Sequence, residues 1–315
     1  MPLPDLAAQL NQIVGHSALD YLPDPFPEPV PIRLFLKRDD QLHPLVSGNK
    51  WRKLKYNLLA AREQGLSTVL TFGGAFSNHL HATAAAGKLF GFQTIGVVRG
   101  DELAHRPLNR TLAFCREQGM HLHFVSRTDY KRAADPTYLA GLQAQFGPCY
   151  LVPEGGTNAL AIQGTAEIIP EICQQWRETG LSSGTYRGHP LPHTVACAVG
   201  TAGTLAGLIA SAPDPVQVLG VSALKGAVNF AALPSSLPPE VQVINQYHFG
   251  GYARTTPVLD EFIGIFREQT GVWLEPTYTG KLLYALYDLA RRGHFPEQAG
   301  VVAVHTGGLQ VIGQP

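Results

Sequence analysis

The chain has 315 residues, 45% hydrophobic and 15% charged, enough to bury one large or two medium α/β cores. Lys plus Arg and Asp plus Glu both number 24, a balance that argues against nucleic acid or an anionic membrane as partner and leaves room for a local positive pocket. The opening Met1-Pro2-Leu3-Pro4-Asp5 lacks a basic or apolar leader, and no apolar run reaches the ~20 residues of a membrane span. Cys115, Cys149, Cys173 and Cys197 form no C-x-x-C pair, so reduced thiols and a cytoplasmic location are the expectation.

The first 45 or so residues hold Pro23, Pro25, Pro27, Pro29 and Pro31 and read as irregular except for a strand at 32–37. Turns follow at Arg38-Asp39-Asp40 and Ser47-Gly48-Asn49. Residues 50–65 read as a helix, with Trp51, Leu54, Leu58 and Ala61 on one stripe and Gly65 as its stop. Strands and helices then alternate: strand 68–72, helix 78–90, strand 94–98, helix 106–119, strand 121–125, helix 136–146 and an extended piece at 150–152. One long helix is expected over 160–177 with a kink at Pro170, then a loop at about 182–192. The alternation resumes with strand 193–199, helix 204–211, strand 216–221, a glycine-containing loop at 247–256, helices 257–271 and 280–292, and strand 301–305. Such alternation predicts parallel sheets with helices on both faces.

Three loops carry chemistry. Gly200-Thr201-Ala202-Gly203-Thr204 joins an apolar strand to a helix, where backbone N–H groups and the helix dipole favour an anion such as a phosphate. No Lys-Ser/Thr pair follows as in a P-loop. The next strand ends at Ser222 rather than at an acid for a ribose, which disfavours a nicotinamide-dinucleotide oxidoreductase. Lys50, Arg52, Lys53 and Lys55 crowd the start of a helix, where the dipole opposes cations. That cluster reads either as a solvated basic face or as a lysine used for an imine with a carbonyl cofactor. In Gly73-Gly74-Ala75-Phe76-Ser77-Asn78-His79, Ser77 or Asn78 caps the next helix, and neighbouring amides suit a carboxylate. The pairs His79/His81 and His121/His123 lack a third metal ligand at suitable spacing, and Ser77 stands outside a G-x-S-x-G elbow.

Together these segments resemble the D-cysteine desulfhydrase and 1-aminocyclopropane-1-carboxylate (ACC) deaminase family, of the tryptophan-synthase-β superfamily, fold type II. The matching runs are Gly48-Asn49-Lys50-Trp51-Arg52-Lys53-Leu54, Ser77-Asn78-His79, Gly200 to Thr204, Pro276-Thr277-Tyr278-Thr279-Gly280-Lys281 and His305-Thr306-Gly307-Gly308. Glu154-Gly155-Gly156-Thr157-Asn158 adds to the likeness. The resemblance implies an α/β fold of two open twisted, mainly parallel sheets flanked by helices, with pyridoxal 5'-phosphate in a cleft between a large and a small domain. Residues 1–50 plus 160–315 are expected to form the large cofactor-binding domain and 51–159 the small one.

Residue roles follow from the same resemblance. Lys50 bears the cofactor as a Schiff base and shuttles the proton. Asn78 bonds the ring hydroxyl, Gly200, Thr201, Ala202, Gly203 and Thr204 bind the phosphate, and Thr279 faces the pyridine nitrogen. Ser77, Asn78 and His79 meet the substrate carboxylate, with Ser77 sharing in proton transfer. Tyr278, Tyr252 and Thr306 line the substrate side, Tyr278 as a catalytic group. No metal is implied, and a homodimer is expected. ACC deaminases usually have Glu where Thr279 stands and Leu where Thr306 stands, so this chain is similar to the desulfhydrase branch. A threonine supports ring protonation less than a carboxylate does, which suits elimination of a good leaving group. The expected reaction is α,β-elimination on D-cysteine to pyruvate, ammonia and hydrogen sulfide. ACC, D-serine or another β-substituted alanine are alternative substrates, and a non-catalytic amino-acid-binding homologue is the alternative class. Phe76 and His81 depart from the family's Gln and Arg and bear on specificity.

Overall fold

The computed structural model describes residues 6–46, 48–178, 191–226 and 232–312. Most of the loop expected at 182–192, and Ser47 of the Ser-Gly-Asn turn, lie outside the described residues. The chain runs through helix α1 (Leu6–Ile13), strands β1 (Leu19–Leu22) and β2 (Ile32–Lys37), α2 (Asn49–Glu63), β3 (Thr68–Gly73), α3 (Asn78–Phe90), β4 (Gln93–Arg99), α4 (Arg110–Glu117) and β5 (His121–Val125). It continues with α5 (Arg127–Tyr130), α6 (Pro136–Phe146), β6 (Tyr150–Val152), α7 (Ala159–Thr165), α8 (Ile168–Glu178), β7 (Thr194–Val199) and α9 (Gly203–Ser211). The last elements are β8 (Gln217–Ser222), β9 (Val241–Ile244), α10 (Pro257–Thr270), α11 (Thr279–Arg291) and β10 (Ala299–Val304).

Two compact units result. The first contains Leu42–Gly164 and the described part of the first 15 residues; the second contains His16–Gln41 and Thr165–Ile312. The first unit holds a four-stranded sheet in the order β5-β4-β3-β6, parallel throughout. The second holds six strands in the order β1-β2-β10-β7-β8-β9, with only β1 antiparallel. The boundary differs from the expected 51–159. Leu6 and Leu10 of α1, with Leu42 and Val46, pack in one core with Trp51, Leu54 and Leu58 of α2, so the residues around Lys50 belong with the smaller sheet.

In the larger sheet, alternation sorts side chains to two faces. Leu34, Leu36, Ala196, Ala198, Val301 and Ala303 join Phe262 and Phe266 of α10 and Leu282 and Leu286 of α11. The intervening Phe35, Val195, Cys197, Val199, Val302 and Val304 join Ile168, Ile172 and Trp176 of α8 and Leu205 and Leu208 of α9. Burial on both faces is what a parallel sheet requires, and it explains the continuous apolar runs of these strands.

Four expectations need correction. The first 45 residues are not mainly irregular, because Leu6 and Leu10 bury an i, i+4 stripe in α1 and β1 pairs with β2. The helix expected at 106–119 begins only at Arg110, where Asn109 caps it by accepting the Leu112 N–H at 2.9 Å. The helix expected at 160–177 is two, α7 and α8, and Pro170 sits in the first turn of α8, where its missing N–H has no intrahelical acceptor to lose. Finally, β9 extends the sheet beyond β8.

The seat of α2 depends on α7. Gly164 lies so close to the Arg52 carbonyl oxygen that an added Cβ would strike backbone. Gly164→Ala is expected to destabilise by about 1–3 kcal/mol, the usual scale of overpacking. Gly141→Ala, on α6 with open space at the added carbon, is expected to stabilise by about 0.5–1 kcal/mol. Urea midpoints of the two variants check both signs; a neutral Gly164→Ala would mean that α2 and α7 separate at no cost.

Candidate active site

In the first unit, Lys50 is the second residue of α2, and the turn before it is made by Gly48 at φ 62°. Its side chain reaches the Glu154–Gly156 turn, where Nζ donates to the Gly155 carbonyl oxygen at 3.4 Å. Lys53, one turn on, donates to the same oxygen at 3.3 Å and to Thr157 Oγ1 at 3.2 Å. Gly155 and Gly156 adopt φ of 67° and 74°, a left-handed pair that turns this carbonyl toward the lysines. Burial lowers the Lys50 amine to about 8. A fully buried Asn57 locks the turn from behind. It donates to Asn158 Oδ1 at 3.2 Å and accepts from Asn158 Nδ2 at 2.7 Å, while Asn158 caps α7.

The loop after β3 presents the start of α3. Ser77 is the N-cap, its Oγ accepting from Leu80 N–H at 3.2 Å, so its hydroxyl hydrogen is available to donate elsewhere. Asn78 and His79 are the first two residues of α3. The His79 imidazole is buried and turned inward: Nε2 lies 2.7 Å from Thr71 Oγ1, which donates to the Val152 carbonyl at 2.8 Å. Thr71 therefore accepts, and His79 carries its proton on Nε2. Burial, with Lys50 and Lys53 adding to it, pushes this imidazole well below its ordinary value, so it is neutral. Its side chain is engaged with Thr71. Phe76 is exposed beside Ser77. His81 stacks on Phe114 with ring centroids 3.8 Å apart, away from the direction of His79. His121 and His123 both pack on Phe146. Among the described residues no group of three or more His, Cys, Asp or Glu is placed to hold a metal.

In the second unit, Gly200 to Ala202 links β7 to α9. Ala202 takes a left-handed conformation at φ 62° as the N-cap, which leaves Gly203 and Thr204 as the opening residues of the helix. A helix start directs its first amides outward, the local requirement for holding a phosphate. Gly200 has to lack a side chain: a Cβ there would stand 3.0 Å from Tyr278 Oη. Thr165 Oγ1 donates to the Gly203 carbonyl at 3.0 Å and fixes the loop from below.

Tyr278 and Thr279 open α11, and the group that shapes this turn is Glu275, which sequence reasoning passed over. Its carboxylate is buried and accepts from the backbone N–H groups of Thr277, Tyr278 and Thr279 at 2.7, 2.8 and 2.6 Å. Burial pushes Glu275 up, opposed by those three amides and by His305. Glu275 lies three residues before the N-cap Tyr278, outside the capping position, so no capping signal marked it. Thr279 Oγ1 accepts the Glu275 N–H at 3.0 Å and has the Glu275 carbonyl and Oε1 both at 3.3 Å. Tyr252 meets the Tyr278 ring edge-on at 6.1 Å between centroids. His305 donates from Nε2 to the Trp273 carbonyl at 2.8 Å and accepts the Gly307 N–H at 3.2 Å, which places buried Thr306 before the left-handed pair Gly307-Gly308.

Each unit holds one strand-to-helix loop whose helix start suits an anion, and the first unit also holds a desolvated lysine with no acid partner among the described residues, the kind of amine that bonds a carbonyl cofactor. Comparison with known proteins agrees. A family model described as pyridoxal-phosphate dependent enzyme matches residues 14–307, and the chain belongs to that family. It is similar to a putative 1-aminocyclopropane-1-carboxylate deaminase of Pyrococcus horikoshii, 28% identical over 96% of this chain and 92% of the relative. It is also similar to a D-cysteine desulfhydrase of Salmonella newport, 29% identical over 99% and 98%. A crystal structure of an ACC deaminase homologue superposes with a TM-score of 0.78 at 26% identity, covering 98% of this chain and 95% of that one. The protein is a pyridoxal-phosphate-dependent lyase of fold type II, acting on a small amino acid. No helix among the described residues is long and apolar enough to cross a membrane.

The lowered amine makes a direct prediction. In cofactor-free protein, modification of Lys50 by trinitrobenzenesulfonate, followed by peptide mass spectrometry, should rise with pH and level off above about 8, because only the neutral amine attacks. An ordinary lysine keeps gaining until about pH 10.4. A Lys50 rate still climbing there would reject the dry amine.

Proposed function

We propose that the chain catalyses α,β-elimination on D-cysteine, forming pyruvate, ammonia and hydrogen sulfide. The two named relatives do not choose between substrates, since their similarity to this chain is nearly equal. The observation that carries the choice is Thr279. The position proposed to face the ring nitrogen is a hydroxyl, and the neighbouring carboxylate of Glu275 is occupied by three amides. A ring nitrogen given no acid stays largely unprotonated, which favours a substrate whose β-substituent departs readily.

In this reading Lys50 Nζ is the attachment point, Gly200, Thr201, Ala202, Gly203 and Thr204 hold the phosphate, and Asn78 bonds the ring hydroxyl. Bound pyridoxal phosphate supplies an electron sink conjugated with the substrate Cα. The amides at the start of α3, with Ser77, take the substrate carboxylate. Lys50 Nζ, aided by Ser77, accepts the α-proton. The Cα–H electron pair becomes the Cα=Cβ bond as sulfur leaves Cβ with its own pair. Tyr278 Oη protonates the departing sulfur, with Tyr252 and Thr306 closing the substrate side. Water then converts the released enamine to pyruvate and ammonia. The same reading takes the protein as a cytoplasmic homodimer.

Sulfide and ammonia release test this, with D-cysteine and ACC as parallel substrates. Sulfide from D-cysteine, lost by a factor of about 10²–10⁴ in Lys50→Ala, is the expected result. Ammonia from ACC without sulfide from D-cysteine would move the chain to the deaminase branch. Turnover of neither would end the elimination reading.

A further inference from the structure

One face of α11 holds the loop that carries Tyr252. Tyr278, Lys281 and Tyr284 are spaced three apart and so share a stripe of the helix. Tyr252 meets Tyr278 edge-on, and Phe249 meets Tyr284 edge-on at 5.0 Å. Between these ring contacts, Lys281 Nζ donates to the Gly251 carbonyl oxygen at 2.7 Å.

Lys281 is 1% exposed on a helix whose neighbours Leu282, Leu283, Ala285 and Leu286 are all buried. A buried ammonium costs far more than an apolar side chain of like volume. Burial lowers this amine to about 8, with Glu275 acting in the opposite direction. What the amine contributes is a grip on backbone. Phe249, Gly250, Gly251 and Ala253 all take positive φ, at 48°, 94°, 114° and 54°. Such a path persists only where surrounding contacts over-determine it. The Gly251 carbonyl accepts twice, from Lys281 and from Arg254 N–H at 3.2 Å, so it is the node of this turn.

We propose that Lys281 is a positioning residue for the lyase reaction: its buried amine holds the Gly250–Gly251 turn to α11 and thereby sets Tyr252 against Tyr278. This rests on the reading that Tyr252 lines the substrate side, and the test separates the two.

The protein as purified is compared with Lys281→Met, which removes the donor, and Lys281→Gln, whose amide still offers one. The first readout needs no substrate: tryptic cleavage after the exposed Arg254, normalised to cleavage elsewhere. Lys281→Met should accelerate it about 10-fold or more, the scale of losing a hydrogen bond to a charged group, and Lys281→Gln should restore part of the protection. The second readout is kcat for sulfide release in a double-mutant cycle with Tyr252→Ala. Lys281→Met should lower kcat in the wild-type background and lower it no further once Tyr252 is gone. Cleavage of Lys281→Met at the wild-type rate overturns the proposal, as do kcat losses that multiply. Failure of both variants to fold also overturns it, since the amine would then support the core rather than the loop. If Tyr252→Ala alone leaves kcat unchanged, the reading of Tyr252 fails, and cleavage still decides the tether.

Discussion

In its proposed role the Lys50 amine bonds a carbonyl carbon, which asks for an amine shielded from water and not paired with a carboxylate. The chain buries several lysines and treats them differently. Lys37 meets Glu171 at 2.9 Å, Gln175 Oε1 at 3.0 Å and the Ser17 carbonyl at 2.6 Å, a fully paired cation that fastens β2 to α8. Such pairing satisfies the ammonium and ties it to the scaffold. Lys50 has instead a single long contact to the Gly155 carbonyl, and burial alone moves its amine downward. Everything local serves that asymmetry: the left-handed glycines that present the carbonyl, the Asn57–Asn158 exchange that fixes the turn, and the close seat of α7 on α2.

The two loops that start α3 and α9 follow from sheet geometry. In a parallel sheet the chain leaves the carboxyl end of a strand and enters a helix, and ligands gather where those helix starts lie. β3 delivers Ser77 and Asn78 in this way, and β7 delivers Gly203 and Thr204. The segments around Gly73 and around Gly200 each run from strand through a glycine loop into a helix, one in each unit. They differ in their caps: a serine side chain at α3, a left-handed alanine backbone at α9. A side-chain cap occupies one amide, whereas a backbone cap leaves the amides for a ligand.

This contrast also explains what could be read before the fold was known. α3 and α6 emerge at their expected limits because Ser77 and Asp135 cap them and glycines follow their last residues. The doubly buried strands were legible as apolar runs, and the glycine loops as turns that lead from strand to helix. The break between α7 and α8 was not, because it is set by Thr165 reaching Gly203, a contact 38 residues away. The packing of Leu6 and Leu10 with α2 was hidden for the same reason, since only the fold brings them together. Glu275 and Lys281 were hidden differently. Charged residues read as solvated by default, and only burial shows that both act on backbone groups.

In the reading proposed above, in which Thr279 faces the ring nitrogen, its hydroxyl shows how such a hidden group reaches the chemistry. Oγ1 already accepts the Glu275 N–H, and its own proton has two acceptors at equal distance, the Glu275 carbonyl and Oε1. A hydroxyl with its proton engaged offers a nearby pyridine nitrogen little beyond a weak dipole. Donating to that nitrogen would mean turning away from Glu275, in a site too dry for water to replace the lost bond. In that reading Glu275 lowers the acidity available at Thr279 by engaging its hydroxyl. Nor, in the same reading, does Glu275 supply a proton to the ring, because it accepts three backbone amides and builds the turn that carries Tyr278.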